Sequence, residues 1–404
     1  MPVLTPASRD QAEEVVEPQF VPQDPRRVAF DVLKGIGILE VILHHCLGAS
    51  SRKYVEEAGA AWWVMRGLNR LLHFAIPLFL LVSAVLLTQS LMRRYDWGRF
   101  VKRRAARTLW PYLLWSAIYW LFRLNVLKVG SDVVVASYSY PLLGTLTGPN
   151  MLVDLQGLSK DLIWGKAYFH LYFMVVLLQM AVLLPLVVYV VRKGRFSFSG
   201  AFAAAAALQL IVYLVQANLW RISTPASMVL WYMAPLFLGV WIGMHPERWS
   251  EVWRRCRGWF LLAAGLALAV YLPASLILVG GGKVPSLLFN SAFSAYAVLI
   301  SLVLLGFSTR IARSRLGPFL AMFGRVSLPM FLVHPIVLYF LSGPKISSVI
   351  EQFPAPVVLL AGLVIAISYG LARLASTLRM DVTFFGQRLP VGHAPSARAT
   401  STAG

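Results

Sequence analysis

The chain has 404 residues, 58% hydrophobic and only 13% charged, with a mean hydropathy of +0.68 and a formal charge of +20. A soluble globular domain carries about twice that charged fraction, so the composition excludes a soluble enzyme and indicates a polytopic membrane protein whose length suits one bundle of helices. The positive charge is not a nucleic-acid signature, because Lys and Arg fall between apolar runs, where orientation in a bilayer accounts for them.

Residues 1–25 are polar and acidic, with prolines and no apolar core. They are expected to be a disordered cytoplasmic tail rather than a secretory signal. Apolar runs near the ~20 residues of a membrane crossing follow at 30–49, 71–91, 108–126, 167–191, 199–217, 226–244, 258–279, 287–307, 318–341 and 355–375. They predict an all-α polytopic membrane protein, with about ten transmembrane helices in one bundle spanning 26–378. An even number puts both termini on one side. The remainder, 379–404, reads as a second disordered tail, so no soluble domain is expected at either end.

Charge assigns the sides. "MRRYDWGRFVKRRAARTLW" carries seven Arg and Lys, and "VRKGR", "HPERWSEVWRRCRGW" and "STRIARSR" carry three, four and three. With Arg9, Arg26, Arg27 and the four arginines from Arg373 onward, that side holds 24 basic residues, against 11 in the alternate loops. The positive-inside rule makes the rich side, and both termini, cytoplasmic. The longest outer loop, about 127–166, is rich in Gly, Pro and Ser and is expected to form an irregular cap or re-entrant piece. No tandem repeat or inverted pair of broken helices is visible, which weighs against a secondary transporter. "GGGK" at 280–283 lacks the upstream glycine and following Ser or Thr of a phosphate loop. Cys46 and Cys256 offer neither a disulfide framework nor a zinc spacing.

The first run, "FDVLKGIGILEVILHHC", holds five ionisable groups where a Lys or Asp costs at least ~2.5 kcal/mol near a helix centre. At ~100° per residue Lys34 and His45 share one stripe, ~16 Å apart along the axis, and Asp31 lies close to it. Lys34 thus falls at the cytoplasmic end and His45 near the outer end. Gly37 and Gly48 fall on the same side and allow close approach. Glu40 and His44 form an i,i+4 pair on another face. Asp31 and Lys34 also suit a plain span end, snorkelling to the interface. His73, His170 and His334 come to the same outer depth as His45, so several imidazoles are expected to line one cavity. With no HxH or HExxH spacing a metal is not expected, and proton transfer is the better use of histidine at this depth.

These runs resemble acyltransferase family 3, bacterial integral membrane enzymes that O-acylate glycans. "FDVLKGIGILEVILHH" is similar to the family's "LDxLRG" followed by a histidine, with Lys34 in place of the commoner arginine, as in the branch related to polysaccharide intercellular adhesin modification proteins. "FAIPLFLLVSAVLL" resembles "PLFFxxSGxLL", matching Pro77, Phe79 and Ser83, with Ala84 where a glycine is usual. "FVKRRAARTLWPYLLWSAIYW" resembles the basic segment leading into "PYLLW", with Arg104, Arg107, Pro111 and Trp115. "FHLYF" is similar to "HLWF" or "HLYF" through His170, Tyr172 and Phe173, and "SLPMFLVHPIVL" to "YLxHPxVL" through His334 and Pro335. The five pieces keep the family's order over about residues 26–375.

The resemblance implies an acyltransferase domain that uses acyl-CoA, usually acetyl-CoA, as a cytosolic co-substrate and acts on a hydroxyl of an extracytoplasmic glycan or lipid-linked glycan. It implies donor phosphates held by Arg103, Arg104 and Arg107, with anionic membrane lipid as the other partner such a basic segment suits. His45 is the candidate base, with Lys34, Asp31, Glu40 and His44 beside it, and His73, Ser83, His170, Tyr172 and His334 lining the acceptor cavity. Cys46, adjoining His45, is a weaker candidate acyl carrier, since neighbours on a helix point ~100° apart. A glycan or small-anion exporter and a non-catalytic subunit of an envelope polysaccharide machine are the alternatives, and neither needs an arginine pair for coenzyme A.

Overall fold

The computed structural model describes residues 25–93, 96–126 and 155–390. The N-terminal tail, most of the long outer loop and the end of the C-terminal tail lie outside the described residues.

Helix α1 (Pro25–Ser50) is the centre of the bundle. Val32, Leu33, Ile38, Ile42 and Cys46 are fully buried along it, which a helix achieves only when neighbours cover it all round. One helix was not legible in the sequence: short and amphipathic, α2 (Ala60–Leu71) runs beside the end of α1 and leads after a three-residue break into α3 (Ala75–Arg93). Asp96 caps α4 (Trp97–Asn125) through the Arg99 N–H at 2.9 Å, so Lys102 to Arg107 stand on a helix rather than in a loop. After α5 (Leu155–Trp164) come α6 (Tyr172–Gly194) and α7 (Phe198–Asn218), a 3-10 segment (Val229–Tyr232) leading into α8 (Met233–Met244), then α9 (Pro246–Val279) and α10 (Ser286–Ala312). Helices α11 (Gly317–Arg325) and α12 (Ser327–Leu341) meet at a 76° bend, and α13 (Pro344–Glu351), α14 (Pro356–Thr377) and α15 (Asp381–Phe385) complete the chain.

The described residues are helical throughout their regular structure. Seven helical stretches are long and apolar enough to cross a membrane, and the bent α11–α12 pair makes an eighth. The other two sequence runs also fold as helices of the bundle, but neither meets that standard: α4 carries arginines and a lysine through its first half, and Val229–Met244 is short.

Helix α1 packs against α2, α3, α10, α11, α12 and α14. Its crossing with α11 is the tightest. A Cβ on Gly35 would sit 1.9 Å from the Leu320 carbonyl oxygen, and one on Gly324 1.7 Å from that of Asp31. Backbone meets backbone there, as small residues allow in membrane bundles. Gly324→Leu is therefore expected to part the two helices and to eliminate folded, monodisperse protein on extraction, because backbone cannot yield as a side chain does. Gly258→Leu, where a Cβ meets nothing within 4 Å, serves as the matched control.

The α3–α8 contact accounts for Ala84. A Cβ on Gly239 of α8 would lie 2.6 Å from the Ala84 Cβ, so the small residue needed at this crossing is supplied from the opposite helix.

The ordered chain also runs further than hydropathy indicates. The reading of a disordered tail from 379 differs from the structure, in which α15 and the residues to Pro390 lie against α4. The Trp110 and Trp115 indoles donate to the Thr383 and Phe384 carbonyls at 2.7 and 2.8 Å, and Phe385 and Leu389 are buried.

Candidate active site

The five ionisable groups of the run 30–46 are held in different ways. Asp31 pairs with Lys34 at 2.6 Å and with Arg325 at 3.7 Å. Glu40 accepts the Phe74 N–H at 3.1 Å, placing its carboxylate at the start of α3, where orphan N–H groups and the helix dipole favour an anion. His44 does not turn to Glu40. Its Nδ1 lies 2.9 Å from the Asn69 carbonyl oxygen, to which it donates, and the Asn69 amide donates back to the His44 carbonyl at 2.6 Å. That clamp ties α2 to α1. Among the described residues His45 has ring contacts and no hydrogen bond, so of the five it alone is uncommitted to holding the fold.

Histidines from four parts of the chain converge on it. Ring centroids lie 5.1 Å apart for His44–His45, 4.7 Å for His44–His73, 5.4 Å for His45–His334 and 5.8 Å for His170–His334. His73 comes from the break between α2 and α3, His170 from just before α6, and His334 from α12 beyond the bend. His44, His45, His73 and His170 line a cavity of about 80 Å³ with Glu40, Tyr172 and Phe331, and His334 backs it through its ring contacts with His45 and His170. His334 has a defined tautomer. Its Nδ1 lies 2.9 Å from the Phe331 carbonyl and 3.1 Å from that of Met330, and carbonyls only accept, so the proton is on Nδ1. The buried Nε2 is then an acceptor with no partner among the described residues. Cys46, one residue on, is fully buried in the apolar core.

The basic end is built on α4. Arg103, Arg104, Arg107 and Arg93 line a cavity of about 320 Å³, with Asp96 at its edge. Arg104 and Arg107, one turn apart, also line a second cavity of about 230 Å³ that includes Lys34, Ser83, Thr108 and Gln387. Ser83 thus belongs with Lys34 and the arginines, not with the histidines. Burial, and then the neighbouring Arg107, pull the Arg104 guanidinium below its ordinary value. Two cations crowded in this way are relieved by an anion set between them.

One side chain stands between the two chambers. Phe331 lines both the histidine cavity and the Lys34 cavity. Its ring centroid is 5.1 Å from His170 and 5.4 Å from Phe173, which is 5.9 Å from Phe79. Phe79 in turn fills the space over Gly37, whose added Cβ would meet that ring at 2.9 Å. The chambers therefore form a file: arginines, then Lys34, then an aromatic septum, then the histidines. Helix α1 runs alongside it from Lys34 to His45.

Phe331, Asn69, Arg325 and Gln387 were not legible as site residues. An aromatic in an apolar helix reads as core, and Asn69 and Arg325 acquire meaning only through partners distant in sequence. Gln387 reaches its cavity because two indoles fix an otherwise polar segment.

The family model of acyltransferase family 3, described as an acyltransferase domain, matches residues 27–373. No curated protein and no solved structure matches the chain. The family match covers most of the sequence and, Gln387 apart, the residues named in the file, and seven of the helical stretches are long and apolar enough to cross a bilayer. The chain belongs to acyltransferase family 3 and is a multi-pass membrane acyltransferase.

Proposed function

We propose that the chain moves an acyl group, acetyl first among them, from cytosolic acyl-CoA to a hydroxyl of an extracytoplasmic glycan or lipid-linked glycan. It does so in a bacterial cytoplasmic membrane, which it crosses ten times with both termini inside: the eight apolar spans, α4, and Val229–Met244. The observation that carries this reading is the file of chambers, cationic at one end and imidazole-lined at the other, with Phe331 in the wall of both the Lys34 chamber and the histidine cavity.

Arg103, Arg104 and Arg107 hold the donor's phosphates through charge-assisted hydrogen bonds. The pantetheine arm lies in the Lys34 chamber and presents its thioester at the septum. Asp31 fixes the Lys34 ammonium within that chamber's wall. In the upper cavity His45 takes the acceptor hydroxyl's proton as the oxygen bonds to the thioester carbonyl carbon. The resulting oxyanion collapses, the C–S bond breaks, and the imidazolium returns the proton to the departing thiolate. His170 and Tyr172 orient the hydroxyl, and the His334 ring, stacked on His45 at 5.4 Å, holds the base in place. Ester formed, thiol released and proton count balance.

Purified protein in liposomes, given radiolabelled acetyl-CoA and an acceptor glycan, should place label on the glycan. Glycan crossing the bilayer unlabelled would instead support an exporter.

The septum carries its own prediction. Phe331→Ala should open the histidine cavity to water from below and raise acceptor-independent release of CoA several-fold relative to transfer. Since emptying a buried Phe costs about 3–5 kcal/mol, Phe331→Leu is the milder companion and should show the same trend. An unchanged ratio of hydrolysis to transfer in both variants would remove Phe331 as a barrier.

A further inference from the structure

A second cluster of cations stands at the opposite end of the file. Arg66 and Arg70 are four residues apart on α2 and so project from the same side of it, and His73 continues that spacing into the histidine cavity. Between them Asn69 makes the two hydrogen bonds that lock α2 against His44. Arg52, just past the end of α1, joins them from the other helix. A Cβ on Gly48 would stand 3.6 Å from Asn69 Nδ2 and 3.9 Å from Arg52 Nη1, so both side chains reach the same point on α1.

These arginines are half-committed at most. The Arg66 guanidinium lies 4.9 Å over the Trp62 ring, and the Nε atoms of Arg66 and Arg70 are buried with no hydrogen-bond partner among the described residues. Arg52 and Arg70 each lie close enough to Arg66 to repel it, with Glu57 as its nearby countercharge. On its other face α2 exposes Val64 and Leu68, at 61% and 45%. A helix with arginines along one side and an apolar side opposite suits an interface where hydrocarbon and charge meet.

We infer that Arg52, Arg66 and Arg70 form the recognition site for a lipid-linked acceptor, gripping its phosphate or diphosphate while the sugar enters the histidine cavity. Guanidinium forks match phosphate oxygens two at a time, which neutral sugar hydroxyls do not demand. Placement of the sugar in the cavity rests on the transfer reaction proposed above; recognition of the phosphate does not.

The test is therefore a binding measurement that needs no catalysis. The full chain in nanodiscs of neutral lipid is titrated with farnesyl diphosphate, a soluble isoprenyl diphosphate, and with farnesol. Saturable binding of the diphosphate alone is expected, weakened about tenfold or more in Arg66→Gln/Arg70→Gln as charge-assisted hydrogen bonds are lost. Arg52→Gln, near the surface and outside the core, should weaken it in the same direction without affecting folding. Phosphatidylglycerol should displace the probe poorly. Equal displacement by phosphatidylglycerol would make the cluster a headgroup site, and wild-type affinity in both variants would overturn the assignment altogether. If the diphosphate binds as expected while no acceptor is ever acylated, the fault lies with the proposed transfer reaction and not with this site.

Discussion

His45→Ala is expected to lower acyl transfer by about 10²–10⁴, the range over which a positioned general base acts, with little loss of folded protein. The expectation rests on what holds each ionisable group of the run 30–46. Asp31 and Lys34 are paired, Glu40 is bonded at the start of α3, and His44 clamps α2, so removing any of those disturbs structure as well as chemistry. His45 has only ring neighbours, at 4.8 Å from Phe169 and 5.4 Å from His334. Its loss should therefore appear in kcat and not in yield or thermal stability. His44→Ala provides the contrast and should reduce stability first. Wild-type turnover in His45→Ala would remove this imidazole from the reaction.

Arg104→Ala with Arg107→Ala is expected to raise the KM for acyl-CoA by about a hundredfold or more, taking about 1.5–3 kcal/mol for each hydrogen bond to a charged group, while kcat at saturation changes far less. Both side chains face the two chambers of the basic end, and Arg104 is already displaced from its ordinary value by burial and by its neighbour. A bound phosphate relieves that crowding, so donor affinity should fall steeply with salt in the wild type and less so in the double variant. Steady-state kinetics at two ionic strengths measure both effects. Unchanged donor KM would leave the basic segment with a topological role alone.

Much of this site was legible because its members are costly where they occur. A lysine, an aspartate and histidines inside apolar runs need partners, and their helical phase alone aligns Lys34 with His45 at opposite ends of one stripe. Arg104 and Arg107 were legible through a motif in family order. The partners were not legible, because they depend on contacts distant in sequence. Glu40 goes to a backbone N–H thirty-four residues away, not to the imidazole one turn along its own helix. Ser83 lies with the arginines because α3 and α4 line one cavity at that level. Helix α2 was missed because two arginines interrupt its apolar pattern, and α15 because hydropathy registers a polar segment but not the tryptophans that hold it. The septum is the plainest case: in the run "SLPMFLVHPIVL" nothing distinguishes Phe331 from its apolar neighbours until it is found between two cavities.

The central claim is that one reaction is served from two faces of the membrane. Sealed vesicles of uniform orientation, with labelled acetyl-CoA confined to the arginine side and the glycan to the histidine side, test it most directly. Label on the glycan, with free CoA recovered only on the donor's side, is the predicted result. Transfer that requires donor and glycan in the same compartment would contradict the account.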